Sequence, residues 1–147
     1  MLIIGASGGI GSLAVQMAVA WGAEVTGVCS TPNVEFVRSL GAAHVIDYKS
    51  EDFTQVDERF DLAFQLGGTE SPFAIRRVLK DSGVLVQCAG DGGRLLGPII
   101  NVGLASLANR FVSQRLVLVN THEDTETLDE IRVMVEGDDL RPVLAGL

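Results

Sequence analysis

A glycine-rich turn near the start of the chain carries the clearest chemical signature. It reads Gly5-Ala6-Ser7-Gly8-Gly9-Ile10-Gly11 and directly follows the aliphatic residues 1–4. Behind it, residues 10–21 repeat apolar side chains at intervals of three and four, which is typical of a helix. A glycine turn between a strand and a helix leaves backbone amides free at the positive end of the helix dipole. This arrangement predicts a site for the pyrophosphate of a dinucleotide.

Each residue of the turn has an expected role. Three residues take the glycine positions of the G-x-G-x-x-G pattern: Ala6, Gly8 and Gly11. Gly8 lets the main chain approach the pyrophosphate, and Gly11 lets the helix pack close to the strand. The amides of Ser7, Gly9 and Ile10 are the expected phosphate contacts. The alternative is a strand-helix turn that binds nothing, which the strand before it and the sheet pattern after it disfavour.

The end of the second strand decides which cofactor phosphate is preferred. It reads Val28-Cys29-Ser30-Thr31-Pro32-Asn33 and holds no carboxylate to accept from a ribose hydroxyl. Ser30 and Thr31 offer hydroxyl donors, which favours NADPH over NADH, although hydroxyls here also cap a helix starting at Asn33. A methyltransferase using S-adenosylmethionine shares the sheet, but it normally needs an acid at this point.

The elements that position these residues alternate along all 147 residues. The predicted strands are Met1 to Ile4, Glu24 to Val28, His44 to Ile46, Leu62 to Gln65, Val84 to Cys88 and Leu116 to Val119. The predicted helices cover residues 10–21, Asn33 to Leu40, Pro72 through Leu79 towards Gly83, Ile99 to Ala108, and Glu123 to Glu136 with Asp124 or Thr125 as its cap. This pattern predicts one α/β domain over residues 1–147, a doubly wound six-stranded parallel sheet (Rossmann fold) of order 3-2-1-4-5-6 with helices on both faces.

Composition excludes several classes of function. The formal net charge of −8 leaves no basic surface for nucleic acid, and no segment reads as a signal peptide or membrane span. The two cysteines, Cys29 and Cys88, lack metal-ligand spacing, so reduced thiols and a cytoplasmic protein are expected. His44 and His122 stand alone, so no metal site is predicted. No triad or carboxylate pair is visible, so no catalytic side chain is assigned.

Four segments together resemble the medium-chain dehydrogenase/reductase superfamily, and within it the zinc-independent quinone oxidoreductase (zeta-crystallin-like) branch. They are residues 5–18, the Ser30-Thr31-x-Asn33 turn, the phrase Val37-Arg38-Ser39-Leu40-Gly41-Ala42 and the strand end Val45-Ile46-Asp47-Tyr48. The resemblance implies hydride transfer between NADPH, or else NADH, and a quinone, enone or other carbonyl compound, without zinc. It also implies that the nicotinamide does the chemistry while the protein aims it at a small-molecule substrate.

The resemblance assigns further binding residues at matching positions. Ser30, Thr31 and Tyr48 would lie beside the adenosine 2′-phosphate, and Ala89 and Gly90 would line the nicotinamide. Asn33, Leu66 and Gly67 are also assigned to cofactor binding. Members that select NADPH often have a basic residue at Pro32 or Asn33. Neither is basic here, and Arg38 on the next helical turn is the candidate replacement.

The family's GroES-like substrate domain is not found in these residues. We therefore expect the nucleotide-binding domain only, and the alternative function is a non-catalytic cofactor-binding or oligomerisation module. The strand from Leu116 to Val119 is expected at the sheet edge, where it would pair with its copy in a homodimer.

Overall fold

The sheet has the predicted order. The computed structural model describes residues 1–88, 114–119, 125–137, 140 and 141. Across these residues a six-stranded sheet runs β3-β2-β1-β4-β5-β6, and every neighbouring pair is parallel. The strands are β1 (Leu2–Ile4), β2 (Thr26–Cys29), β3 (His44–Asp47), β4 (Phe60–Gln65), β5 (Leu79–Cys88) and β6 (Arg115–Val119). The Rossmann arrangement is confirmed.

Helical segments connect the strands. They are α1 (Gly9–Ala20), α2 (Val34–Ser39), α3 (Pro72–Ile75) and α4 (Thr125–Glu136), with 3₁₀ turns at Thr31–Asn33, Phe53–Gln55 and Arg76–Val78. Bounds differ from the predicted ones by one or two residues for α1, α2 and α4. Asp124 and the helix predicted from Ile99 to Ala108 lie outside the described residues. Over the part of the chain that is described, no helix is both long and apolar enough to span a bilayer.

The core forms two layers, one on each face of the sheet. Leu2 and Ile4 point into a layer with Ile75 and Leu85, while Ile3 between them points into the layer that contains Val15 of α1. Side chains alternate along a strand, so β1 buries every residue only because both faces are covered. This explains why its sequence is continuously aliphatic instead of alternating.

The predicted extension of the third helix towards Gly83 is wrong. The α-helix ends at Ile75, a 3₁₀ turn follows, and Leu79 already belongs to β5, where it pairs with Phe60. Leu79 is buried by this pairing, and the register shift between Phe60 and Leu62 accommodates the extra residues before Gly83. Pairing with β4 therefore overrides a local apolar spacing that suits a helix equally well.

The last described residues dock on α1. The side chain of Gln16 donates to the carbonyl of Arg141 at 3.1 Å and accepts from its backbone N–H at 2.8 Å. Leu140 beside it is buried. One amide side chain thus holds the backbone of a segment 125 residues away.

Candidate dinucleotide site

The glycine turn is tied to the sheet on one side and to α1 on the other. The backbone N–H groups of Gly5 and Ala6 both donate to the carbonyl oxygen of Val28, at 3.1 and 3.0 Å. Gly5 has a φ of +86°, which favours glycine. A Cβ added to Gly11 would overlap the Gly5 carbonyl oxygen and lie 2.9 Å from its carbon. Gly11 is therefore required for the helix to start this close to the strand.

The amino end of α1 is open to an anion. Gly8 takes the N-cap position, no side chain caps the helix, and the first turn holds no acidic residue. The first amides of a helix have no partner within it and carry partial positive charge. A Cβ on Gly9 would meet no atom within 4 Å, and Ile10 is 66% exposed. Free donors next to open space fit a pyrophosphate group.

A groove of about 450 Å³ opens in front of this turn. Its lining residues come from the carboxyl ends of four adjacent strands and the loops that follow: Ile4, Gly5, Ser7, Gly8, Val28, Cys29, Ser30, Tyr48, Phe53, Leu66, Gly67, Gly68, Thr69 and Glu70. The carboxyl edge of a doubly wound sheet is where such folds bind ligands. Its walls come from β1 to β3, the half of such a sheet that binds the adenosine of a dinucleotide, and from the loop after β4.

Hydrogen bonds order the end of β2. The Asn33 amide donates to the hydroxyl oxygens of Ser7 and Ser30, at 3.3 and 3.1 Å, and so links the glycine turn to the strand end. No side-chain cap forms at the 3₁₀ turn or at α2. Since the Ser30 oxygen accepts from Asn33, its own O–H is left to donate towards the groove.

A carboxylate that was not predicted as a site residue lies beside this strand end. Asp47 is the parallel partner of Cys29 in the β2–β3 register. A hydrogen bond from the Thr31 side chain, and then one from the Lys49 backbone N–H, lower the pKa of the Asp47 carboxyl. Asp47 is therefore anionic at neutral pH, and Thr31 is engaged by it. Burial, and next the Asp47 charge, raise the pKa of the Cys29 thiol, which argues against a reactive cysteine.

A cation lies next to the predicted tyrosine. Tyr48 is 49% exposed at the groove wall, and the Lys49 Nζ lies 5.2 Å from the centre of its ring. Arg38, the predicted basic residue, instead forms an ion pair with Glu35. The structure thus brings the predicted residues Ser7, Gly8, Ser30, Tyr48, Leu66 and Gly67 to one groove, with Ala6 buried beneath it. Ala89 and Gly90 lie outside the described residues.

A pair of buried amides supports the loop after β4. Gln65 and Gln87 are opposite one another in the β4–β5 register, and the Gln87 amide donates to the Gln65 side-chain oxygen. The Gln65 amide in turn donates to the carbonyl of Glu70 at 3.1 Å. An ionised carboxylate at this position would offer no such donor. The glutamine therefore fixes the loop that closes the groove.

We expect Gln65→Glu to destabilise the domain by about 2 kcal/mol at neutral pH, since it removes the buried donor and adds a buried charge. Burial raises the pKa of the new carboxyl in the folded state, so the loss grows as pH rises and shrinks as pH falls. Urea unfolding at several pH values measures this. The reverse exchange Glu51→Gln, at an exposed position, should change stability by under about 0.5 kcal/mol. Equal losses of stability in the two variants would contradict the role of Gln65 in supporting the loop after β4.

Metal ligands do not cluster in the described segments. No group of three or more His, Cys, Asp or Glu side chains there is placed to hold a metal ion. His44 lies 3.5 Å from the Glu24 carboxylate, and both are exposed. His122 falls outside those segments.

The fold and the groove together define a nucleotide-binding domain of the Rossmann class. Residues 9–133 match the sequence model of the zinc-binding dehydrogenase family, so the chain belongs to that family. It thereby belongs to the medium-chain dehydrogenase/reductase superfamily. The predicted superfamily is confirmed.

The relatives that the chain resembles are longer oxidoreductases. The chain is 43% identical over 165 residues to the NAD(P)H oxidoreductase RTN4IP1, mitochondrial, of Danio rerio, covering 98% of the chain and 41% of the relative. The Bos taurus protein of the same name is 32% identical over 159 residues, with coverages of 98% and 40%. The chain therefore spans about 40% of the length of these curated relatives.

Solved structures show the same fold. The quinone oxidoreductase of Coxiella burnetii superimposes with a TM-score of 0.80 at 27% identity, over 98% of this chain and 43% of that one. The Escherichia coli quinone oxidoreductase complexed with NADPH has a TM-score of 0.77 at 22% identity, over 98% and 47%. At this level of identity, the similarity to the Escherichia coli structure shows a shared fold and no more.

Proposed function

We propose that this chain is the NAD(P)H-binding domain of a zinc-independent oxidoreductase that transfers hydride between NADPH and a quinone, enone or other carbonyl compound. The observation that carries the proposal is the uncapped amino end of α1 facing a groove built by the ends of β1 to β4. The names of the relatives, NAD(P)H oxidoreductase and quinone oxidoreductase, support this chemistry.

The chain's own residues bind and orient the cofactor. The reduced nicotinamide supplies the hydride when bound. The amides of Gly9 and Ile10 would hold the pyrophosphate, and Ser30 would donate to the adenosine ribose or its phosphate. The loop at Leu66 and Gly67 would cover the opposite side of the groove. We assign no catalytic side chain, because positioning of the nicotinamide is the contribution expected of the protein.

Titration of the purified chain with NADPH and NADH tests the proposal directly. Nicotinamide fluorescence and melting temperature are followed together, because a ligand that binds only the folded state raises both signals in parallel. Saturable binding with a raised melting temperature is expected. A folded protein that binds neither nucleotide would overturn the proposal. Elemental analysis of the same sample tests zinc independence, and a stoichiometric zinc content would overturn that part.

A non-catalytic cofactor-binding or oligomerisation module is the second candidate, because no catalytic side chain is assigned among the described residues. The two functions differ in turnover. A competent enzyme consumes NADPH when a quinone is added, whereas a binding module leaves the absorbance of the reduced nicotinamide unchanged. The same assay on the chain extended to its relatives' length would separate a non-catalytic protein from a domain that needs further residues.

Preference for NADPH is proposed to depend on Lys49. Lys49→Gln should weaken NADPH binding about fivefold and leave NADH binding within about twofold, because one exposed charge on a phosphate is worth roughly 1 kcal/mol. Asp47→Asn should strengthen NADPH binding several-fold, since it removes a negative charge and keeps an acceptor for Thr31. Fluorescence titrations measure both ratios. Arg38→Gln is the matched control, and a larger effect there than at Lys49 would reverse the assignment.

We also propose a homodimer formed through β6, which is the last strand in the sheet order. The strand at the end of a sheet order is a common place for a second copy of the same chain to pair. Light scattering during gel filtration measures the mass. A monomer at all concentrations would reject this proposal without affecting the cofactor site.

A further inference from the structure

The groove continues into a second cavity of about 470 Å³. The two cavities share the wall residues Tyr48, Phe53 and Glu70. The second cavity lies between the loop after β3 and the start of α3, since Asp52 and Ala74 also line it. A ligand lying in the groove from the glycine turn past Ser30 would reach this junction with its far end.

Glu70 is the polar residue at the junction without a full set of partners. Its Oε2 atom is buried and receives no hydrogen bond, and no Lys, Arg or His of the described segments forms an ion pair with it. The oxygen lies over Gly68, in space that a Cβ at that position would fill. Burial of this oxygen against Gly68 fixes the orientation of the carboxyl group and leaves Oε1 as the atom that can accept a hydrogen bond from a ligand.

The backbone around this carboxylate is fixed in place. The Gln65 amide donates to the Glu70 carbonyl, and the Ser71 side chain accepts from the Ala74 N–H to start α3. Gln65 is itself held by Gln87. Glu70 therefore extends from a supported loop, and a ligand would not have to order that loop on binding.

The chemistry of the junction selects for a flat ring that carries an N–H donor. Phe53, Tyr48 and Leu66 supply apolar surface, while an ionised carboxylate only accepts hydrogen bonds and repels phosphate. In the adenosine half of a dinucleotide, the adenine ring has apolar faces and one exocyclic amine. Small-molecule sites of this kind combine apolar walls with a few placed polar groups.

We propose that Glu70 recognises the adenine base by accepting a hydrogen bond from its 6-amino group, with Phe53 and Tyr48 flanking the ring. This inference rests on the proposed dinucleotide site and adds a residue that selects the base. The accepting atom is Oε1, because Oε2 is buried against Gly68, and binding requires no movement of the backbone.

Isothermal titration with two diphosphates tests the proposal. ADP carries the amine, and purine riboside 5′-diphosphate differs from it only by lacking that group. The wild-type chain should bind ADP about tenfold more tightly, as expected for one hydrogen bond to a charged acceptor. In Glu70→Ala the two affinities should become nearly equal, and in Glu70→Gln a preference of a few-fold should remain because the amide oxygen still accepts. The ratio is the readout, because removing the charge also reduces repulsion of the diphosphate.

Glu51→Gln is the matched control, since Glu51 lines the same outer cavity but is exposed, and it should keep the wild-type ratio. Equal wild-type affinities for the two diphosphates, or an unchanged ratio in Glu70→Ala, would overturn the role of Glu70 and leave the dinucleotide site intact. Failure of the wild-type chain to bind either diphosphate, or NADPH, would instead overturn the dinucleotide site and this inference with it.

Discussion

Gly11→Ala is expected to lose NADPH binding and to lower stability by about 3 kcal/mol, a fall of about 10 °C in melting temperature. The added methyl group would overlap the backbone carbonyl of Gly5 and lie 3.0 Å from the carbonyl carbon of Ala6. Backbone atoms cannot rotate away as a side chain does, so α1 must move outward and carry its first amides away from the groove. Thermal melts and NADPH titration measure the two effects.

Gly9→Ala provides the matched control two residues earlier in the same helix. Nothing lies within 4 Å of a Cβ at this position, so alanine should raise stability by about 0.5–1 kcal/mol through its higher helix propensity. A Gly11→Ala protein that melts like Gly9→Ala would show that the close approach of helix and strand is not required.

Gly27→Ala should be the second most damaging change, with a loss of about 2–3 kcal/mol and weaker cofactor binding. Gly27 lies in the middle of β2, where a Cβ would come within 2.6 Å of the Val37 Cγ1 and 3.1 Å of the Ala6 Cβ. Val37 is fully buried and β-branched, so it has little freedom to turn aside. The new methyl group would press on α2 and on the glycine turn together, and urea unfolding with NADPH titration reports both.

The contact with Val37 also predicts a partial rescue. Val37→Ala removes the crowding methyl groups, so the double variant should be less destabilised than the sum of the single variants by about 1 kcal/mol or more. Additive losses would mean that crowding against α2 is not the cause. In that outcome, the contact with Ala6 would have to account for the whole effect of Gly27→Ala.

Much of the fold was predictable because the sequence signals were local. The aliphatic run at Leu2–Ile4 and the glycine turn place their elements without reference to distant residues. Gly22 and Gly41 directly follow the C-caps of α1 and α2, and both have the positive φ that is common in glycine at the end of a helix. Parallel pairing then follows where a helix connects two strands, as α1 connects β1 to β2 and α2 connects β2 to β3. The pyrophosphate end of the site was predictable for the same reason, because one continuous segment forms it.

The adenosine end depended on contacts between segments that are far apart in sequence. Asp47 lies beside Thr31 only because β3 pairs with β2 in one register, and Lys49 follows from the same pairing. Glu70 becomes a groove residue only when the loop after β4 meets the loop after β3. A usable signal did exist for Gln65 and Gln87, since each is a polar residue near the end of an aliphatic strand. The end of α3 was missed because Leu79 suits a helix and a strand equally well.

The central position of β1 sets an order of events during synthesis. This strand leaves the ribosome before both of its neighbours, and β4, which covers its second edge, follows roughly 60 residues later. At translation rates of about 5–20 residues per second, Leu2, Ile3 and Ile4 remain unpaired along that edge for several seconds. The nascent chain can aggregate through this edge until β4 pairs with it. Substitutions in β4 that delay this pairing should therefore lower the yield of soluble protein in cells even where the melting temperature of the folded protein is nearly unchanged.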